Sequence, residues 1–263
     1  MVFNCDEAIP DNLLDPSNEN YSEVSTVITA GPSEGSIRIL SSATFSYTGG
    51  PLVIGYSHRI DFKSEVSDWS DWSTDTVVTY DNLDEGEQTF HVRGKYSETD
   101  IQLVSTQRNF IIDAVPGPSI RVFPRMTHAD INSEFVIDIY AEELEESTPI
   151  SGVELEVQYD SQFIILPPGA EDPISKGELL LNHSGINLLI DEISEGSIKL
   201  NIGVSEGTNF TGLTGTGILC SITFQSIQSG QSSILINSPE YRDANNTIIE
   251  IYETISGVVI VEE

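Results

Sequence analysis

Residues 150–166, ISGVELEVQYDSQFIIL, carry the clearest alternation of apolar and polar positions in the chain. Val153, Leu155, Val157 and Tyr159 alternate with Glu154, Glu156, Gln158 and Asp160. A period of two predicts a strand with one buried and one wet face. Comparable short runs occur at 36–40, 43–47, 52–60, 76–80, 87–94 and 107–112. They recur at 119–124, 134–140, 177–182, 186–191, 197–202, 217–224, 232–236, 248–252 and 256–261. Clusters of Gly, Pro, Asn and Asp separate them, as expected of β-sandwiches. The one stretch with helical propensity, AEELEE at 141–146, is short and like-charged, and it reads as a loop. The pattern therefore predicts an all-β chain of two tandem sandwiches. Residues 1–20 lack periodicity and read as a flexible tail. The first sandwich is expected over 21–113 and the second over 120–263, joined by a linker at 114–119. Pro116 and Pro118 would hold that linker extended and semi-rigid.

Three motifs in the second half add identity to this pattern. The central strand ends in Tyr159-Asp160, a glycine pair leads into an apolar strand at GTGILCSITF (215–224), and the last strand is SGVVIV (256–261). In this order they resemble the cohesin family over residues 120–263. The resemblance implies a nine-stranded jelly roll that binds a dockerin module as a helical pair on one flat sheet face. Binding there would use a small hydrogen-bonding set and an apolar centre. The matching positions are Gly152 and Glu154 on the strand ending in Tyr159-Asp160, with Asn201, Gly203 and Gly207 on the following strand and turn. Val204 stands where the family carries an acidic residue, with Glu206 nearby.

The first half resembles bacterial fibronectin type III-like domains, through SATFSYTG (42–49), IGYSHRID (54–61), DWSDWS (68–73) and NLDEGEQTFHVRG (82–94) in that order. Trp69-Ser70-Asp71-Trp72-Ser73 also spells the W-S-x-W-S motif of animal cytokine receptors, which stacks on arginines. Several expected strands still follow it and the receptors' paired cysteines are missing, which argues against a receptor. One tryptophan is expected in the sandwich core and the other over its edge. Trp69 and Trp72 on a rim would alternatively stack on sugar rings.

Charge and chemistry narrow the function. Forty-two acids against 11 bases give a net charge of −31, which repels nucleic acid and disfavours anionic lipid. So acidic a surface suits a salty or calcium-containing exterior. No cofactor is required by any motif, and Ca²⁺ would bind only where several oxygen ligands converge. Cys220 shares a strand face with Ile218, Ile222 and Phe224 and is expected to be a buried, inert thiol. Cys5, in VFNCDE, resembles the lipidated cysteine that begins a mature bacterial lipoprotein, although Phe3 and Asn4 replace the usual small residues. A lipid there would be the chain's one link to a membrane. The four histidines form no H-x-x-x-H or H-E-x-x-H pair, and Cys-x-x-Cys is missing. Glycoside hydrolysis would need two carboxylates about 5–10 Å apart, yet the acids fall on expected wet faces and turns. The expected protein is a non-catalytic, extracellular or surface-tethered scaffold that binds a dockerin-bearing partner. The alternatives are a carbohydrate-binding module, using Trp69, Trp72, Tyr159 or Tyr241 on polysaccharide, and a structural surface adhesin.

Overall fold

The computed structural model describes residues 17–21, 23–181, 185–204 and 212–263, apart from the side chain of Val204. The tail expectation for residues 1–16, and with it Cys5, lies outside the described residues, as does Gly207. By internal contacts the chain divides after Ala114 into two compact units.

The first unit contains β1 (Thr26–Ala30), β2 (Ser36–Arg38), β3 (Ala43–Gly49), β4 (Gly55–Phe62), β5 (Val77–Tyr80), β6 (Gly86–Lys95) and β7 (Thr106–Ile112). They form one sheet in the order β1-β3-β5 and another in the order β2-β7-β6-β4. Alternation explains the packing. Ala43, Phe45 and Tyr47 of β3 and Phe90 and Val92 of β6 all turn into one core. Phe45 and Phe90 stack across it with ring centroids 3.9 Å apart. The pattern missed β1, because its inward Thr26 is polar. Thr26 is buried nonetheless, and its hydroxyl donates to the Val92 carbonyl.

The second unit contains β8 (Ser119–Phe123), β9 (Met126–Asp130), β10 (Glu134–Leu144), β11 (Gly152–Gln158), β12 (Ile164–Ile165), β13 (Ile174–Lys176), α1 (Glu178–Leu181), β14 (Ile186–Ser194) and β15 (Ser197–Val204). It continues with β16 (Gly215–Ser226), β17 (Gly230–Arg242), β18 (Ile248–Ile249), β19 (Thr254–Ile255) and β20 (Gly257–Glu262). One sheet runs β12-β16-β10-β8-β19 with β13 also on β16, and the other runs β14-β15-β11-β17-β20-β9 with β18 on β17. Four of the segments have two or three residues, which leaves nine longer strands among the described residues to carry the sandwich. Their inward residues, including Ile137, Ile139, Val153, Leu155, Leu200 and Phe224, form one continuous core.

Two elements differ from the sequence pattern. Residues 141–144 are not a loop, because β10 continues through them. Ala141 and Leu144 are buried, and Glu142 is matched by Arg121 with a 2.5 Å Nε–Oε2 contact. The kink that obscured this strand is a register shift around Glu143, which has a positive φ of 49°. Residues 177–181, the described part of the 177–182 run, are not a strand either. The backbone of Gly177 lies against Ile218, where a Cβ would come within 2.2 Å of the Ile218 carbonyl oxygen. The chain then turns away from β16, and Leu180 and Leu181 donate back to the Gly177 carbonyl. A run of three leucines has no period that could reveal this. Residues of the 114–119 segment bond to the second unit, with the Gly117 N–H on the Glu143 carboxylate and the Pro118 carbonyl accepting from Tyr252.

Candidate functional site

Of the residues singled out by the cohesin resemblance, Gly152, Glu154, Asn201 and Gly203 meet on the outer face of the second unit's larger sheet. Val153, Leu155 and Val157 of β11 are buried, so Gly152, Glu154, Glu156 and Gln158 must point outward. On β15 the register places Gly203 beside Gly152, Asn201 beside Glu154 and Lys199 beside Glu156. On the other side, β17 sets Arg242 beside Gly152 and Glu240 beside Glu154. Gly152, Glu154, Asn201, Gly203 and Arg242 all line one open depression of about 520 Å³.

Neither glycine is required by the fold. A Cβ at Gly203 would meet nothing within 4 Å, and one at Gly152 would make only ordinary contacts at 3.7 Å. Neither has a positive φ. Glycine in a strand interior costs about 0.5–1 kcal/mol relative to alanine, so this pair leaves bare backbone on the face at a cost. The charges tell the same story. Ser197 donates to Glu156 at 2.5 Å and holds its carboxyl below the usual range. Lys199 pairs with Glu192 at 2.7 Å, and Arg242 pairs with Glu240. Glu154 and Asn201, by contrast, have no side-chain partner among the described residues. Glu154 even faces Glu240 directly, an arrangement of like charges that weakens a sheet. Exposed Leu189, opposite Asn201, and Leu235, opposite Gln158, add apolar surface at the flanks rather than the centre.

The tryptophans occupy a different environment, in the first unit. Neither enters the core; both are half-buried. Ser73 exchanges backbone hydrogen bonds with Tyr56, and the Ser70 N–H donates to the His58 carbonyl, which draws the W-S-x-W-S segment along β4. Arg59, Arg93 and Lys95 alternate with core residues on β4 and β6 and so share the sheet's outer face. The Arg93 guanidinium sits 4.0 Å from the Trp69 ring centre and 5.1 Å from that of Trp72. Arg59 lies over Trp69 at 4.7 Å and Lys95 over Trp72 at 4.9 Å. Cations therefore cover the indoles that a sugar would have to stack on. Of the tyrosines considered for glycan contact, Tyr241 is fully buried and donates to the Ser119 carbonyl, whereas Tyr159 is half-buried against Phe224.

Among the described residues, no group of three or more His, Cys, Asp or Glu side chains is placed to hold a metal ion. His58 contacts the Tyr80 hydroxyl, His91 bonds Asp61 and His128 bonds Glu262. The letters Gly31-Pro32-Ser33-Glu34-Gly35 match the G-x-S-x-G nucleophile signature. Ser33, however, lies exposed in a turn between β1 and β2, with no helix to form the strand-to-helix elbow.

No protein-family model matches the sequence, and no curated protein matches it. Solved structures to which the chain is similar include cohesin modules. A non-cellulosomal cohesin from the archaeon Archaeoglobus fulgidus is 15% identical over 55% of this chain and 91% of its own, with a TM-score of 0.43. The sixth cohesin of Acetivibrio cellulolyticus scaffoldin B, solved with a dockerin, is 16% identical over 56% of this chain and 100% of its own, with a TM-score of 0.47. A cohesin module of a Clostridium perfringens family 33 glycoside hydrolase is 11% identical over 56% of this chain and 100% of its own, with a TM-score of 0.41.

Proposed function

We propose that the second unit is a cohesin-like module that binds a dockerin-bearing protein through the outer face of β14, β15, β11 and β17. The observation that carries this reading is the cross-strand pair Gly152 and Gly203 beside unpartnered Glu154 and Asn201. Stability alone favours other residues at these positions, whereas a close-docking helix would use bare backbone, one carboxylate and one amide. The protein is a non-catalytic scaffold component in this reading. The fibronectin type III-like first unit spaces the binding module, and a lipid on Cys5 tethers the chain at the cell surface. A carbohydrate-binding role draws no support from the tryptophans, whose rings already carry cations.

The test is capture on immobilised protein from the secreted fraction of the source organism, with calcium and then with EDTA. A captured protein with duplicated Asp-rich calcium loops that EDTA releases is the expected partner, because such loops fold around calcium. Glu154→Arg should then weaken binding by roughly 2–5 kcal/mol, about thirtyfold or more. The same substitution should leave the fold intact, since it puts a base opposite Glu240. Unchanged affinity in the folded variant would remove this face from consideration.

A further inference from the structure

A second cavity, of about 570 Å³, lies next to the candidate face within the second unit. Its volume falls in the ~300–1,000 Å³ range of ligand pockets. Buried Pro118 and half-buried Ile249 supply apolar lining, while Glu145, Asp243, Glu250 and exposed Tyr252 complete the wall. No Lys, Arg or His lines it among the described residues.

The parts are set in place by the local chain. Oδ1 of Asp243 accepts the N–H groups of Asn245 at 2.8 Å and Thr247 at 2.7 Å, which fixes the turn after β17. The same bonds keep the Asp243 carboxyl below its usual range, so it is ionised. The Tyr252 N–H donates to the Pro118 carbonyl and anchors the backbone that carries the ring. Glu250 has no side-chain partner among the described residues.

We propose that this cavity receives an arginine side chain of the protein partner. Charge complementarity selects a cation, since carboxylates are the only charged groups in the lining. The apolar surface suits the aliphatic stem that a small inorganic cation lacks. The exposed ring suits a planar guanidinium better than the compact, strongly hydrated ammonium of lysine. Continuity points to the source of the arginine, because Ser151, Asp243 and Ala244 line both this cavity and the depression on the face. The proposal rests on the preceding reading for the partner, and it adds a specificity pocket beside the docking face.

The isotope-labelled full chain is titrated with the blocked peptide acetyl-Gly-Arg-Gly-amide and with its uncharged citrulline counterpart, while backbone amide shifts are followed by NMR. The arginine peptide should shift amides of residues 243–252 saturably, more weakly at high salt. Citrulline should weaken the response about fivefold or more, and Glu250→Gln about two- to fivefold, as expected for one exposed carboxylate. Equal responses to both peptides would mean an apolar cavity without selectivity, and shifts confined to other residues would mean no site here; either overturns the proposal. The captured partner separates the two readings. Should it bind, and be lost on Glu154→Arg, while the peptide stays silent, the pocket falls and the face stands. Should the peptide bind while Glu154→Arg leaves the partner unaffected, the face falls and the pocket stands.

Discussion

Replacing Arg93 with methionine should destabilise the first unit without disturbing the second. Arg93 makes two ring contacts, at 4.0 Å to Trp69 and 5.1 Å to Trp72. A cation–π contact contributes about 0.5–1 kcal/mol when exposed and about 2 when desolvated. These rings are half-buried, which places the pair at about 1–3 kcal/mol. Two effects offset part of that. Burial and the neighbouring charge of Arg59 lower the Arg93 pKa, and the Arg93 Nε is buried without a hydrogen-bond partner. Methionine relieves both and keeps most of the aliphatic stem packed, so the net loss should be about 1–2 kcal/mol. The chain's two tryptophans are Trp69 and Trp72, so their fluorescence reports this unit alone even where a two-unit chain unfolds in more than one step. With a urea slope of about 1 kcal/mol per molar, the fluorescence midpoint should fall by about 1–2 M. Arg93→Lys keeps the charge, loses the planar stack and should fall between. A midpoint unmoved in Arg93→Met, or equal shifts for both variants, would refute the stacking of Arg93 on Trp69 and Trp72 as a stabilising element.

Three further outcomes follow from buried groups. Arg121 and Glu142 are both nearly inaccessible, and the Thr216 hydroxyl donates to the same carboxylate. Arg121→Met strands that charge and should cost about 3–5 kcal/mol, whereas the double change Arg121→Met with Glu142→Leu should recover most of it in chemical unfolding. His58 has its pKa lowered by burial, with Asp75 opposing, so the unfolded chain takes up the proton more readily. The first unit's stability is then full above pH ~6.5 and falls as pH drops from there toward the lowered folded value. His58→Phe should reduce that dependence in tryptophan-monitored melts, leaving the part due to His91, whose pKa burial also lowers. Burial pushes the Cys220 thiol up to about 12. In a Cys5→Ser background, a thiol reagent at pH ~8 should react only once the second unit opens; prompt labelling of native protein would contradict the packed core.

Much of the architecture was legible in short-range pattern. A half-buried strand writes its own burial into its sequence with a period of two, so β3, β6, β11, β15 and β16 could be read without knowing their neighbours. The face position of Glu154 follows from the same alternation. Patterns fail where burial is not apolar or not periodic. β1 buries a threonine, the end of β10 buries a glutamate, and α1 hides in a leucine run. β9 reads MTHAD, with only Ala129 inward, and it is held by parallel pairing to β20 from the far end of the chain.

The sequence by itself determined the all-β class, most strand positions and the outward direction of the candidate residues, because each depends on local alternation. Only the tertiary structure decided what those residues meet. Gly152 and Gly203 became one patch through the register of β11 with β15, which no local signal encodes. Trp69 and Trp72 were conspicuous as letters, but the cations that cover them come from two strands separated in sequence. The acidic cavity likewise joins Pro118, Glu145 and residues 243–252 across the whole length of the second unit. Alternation fixes which way a side chain points, and long-range strand pairing fixes its neighbours.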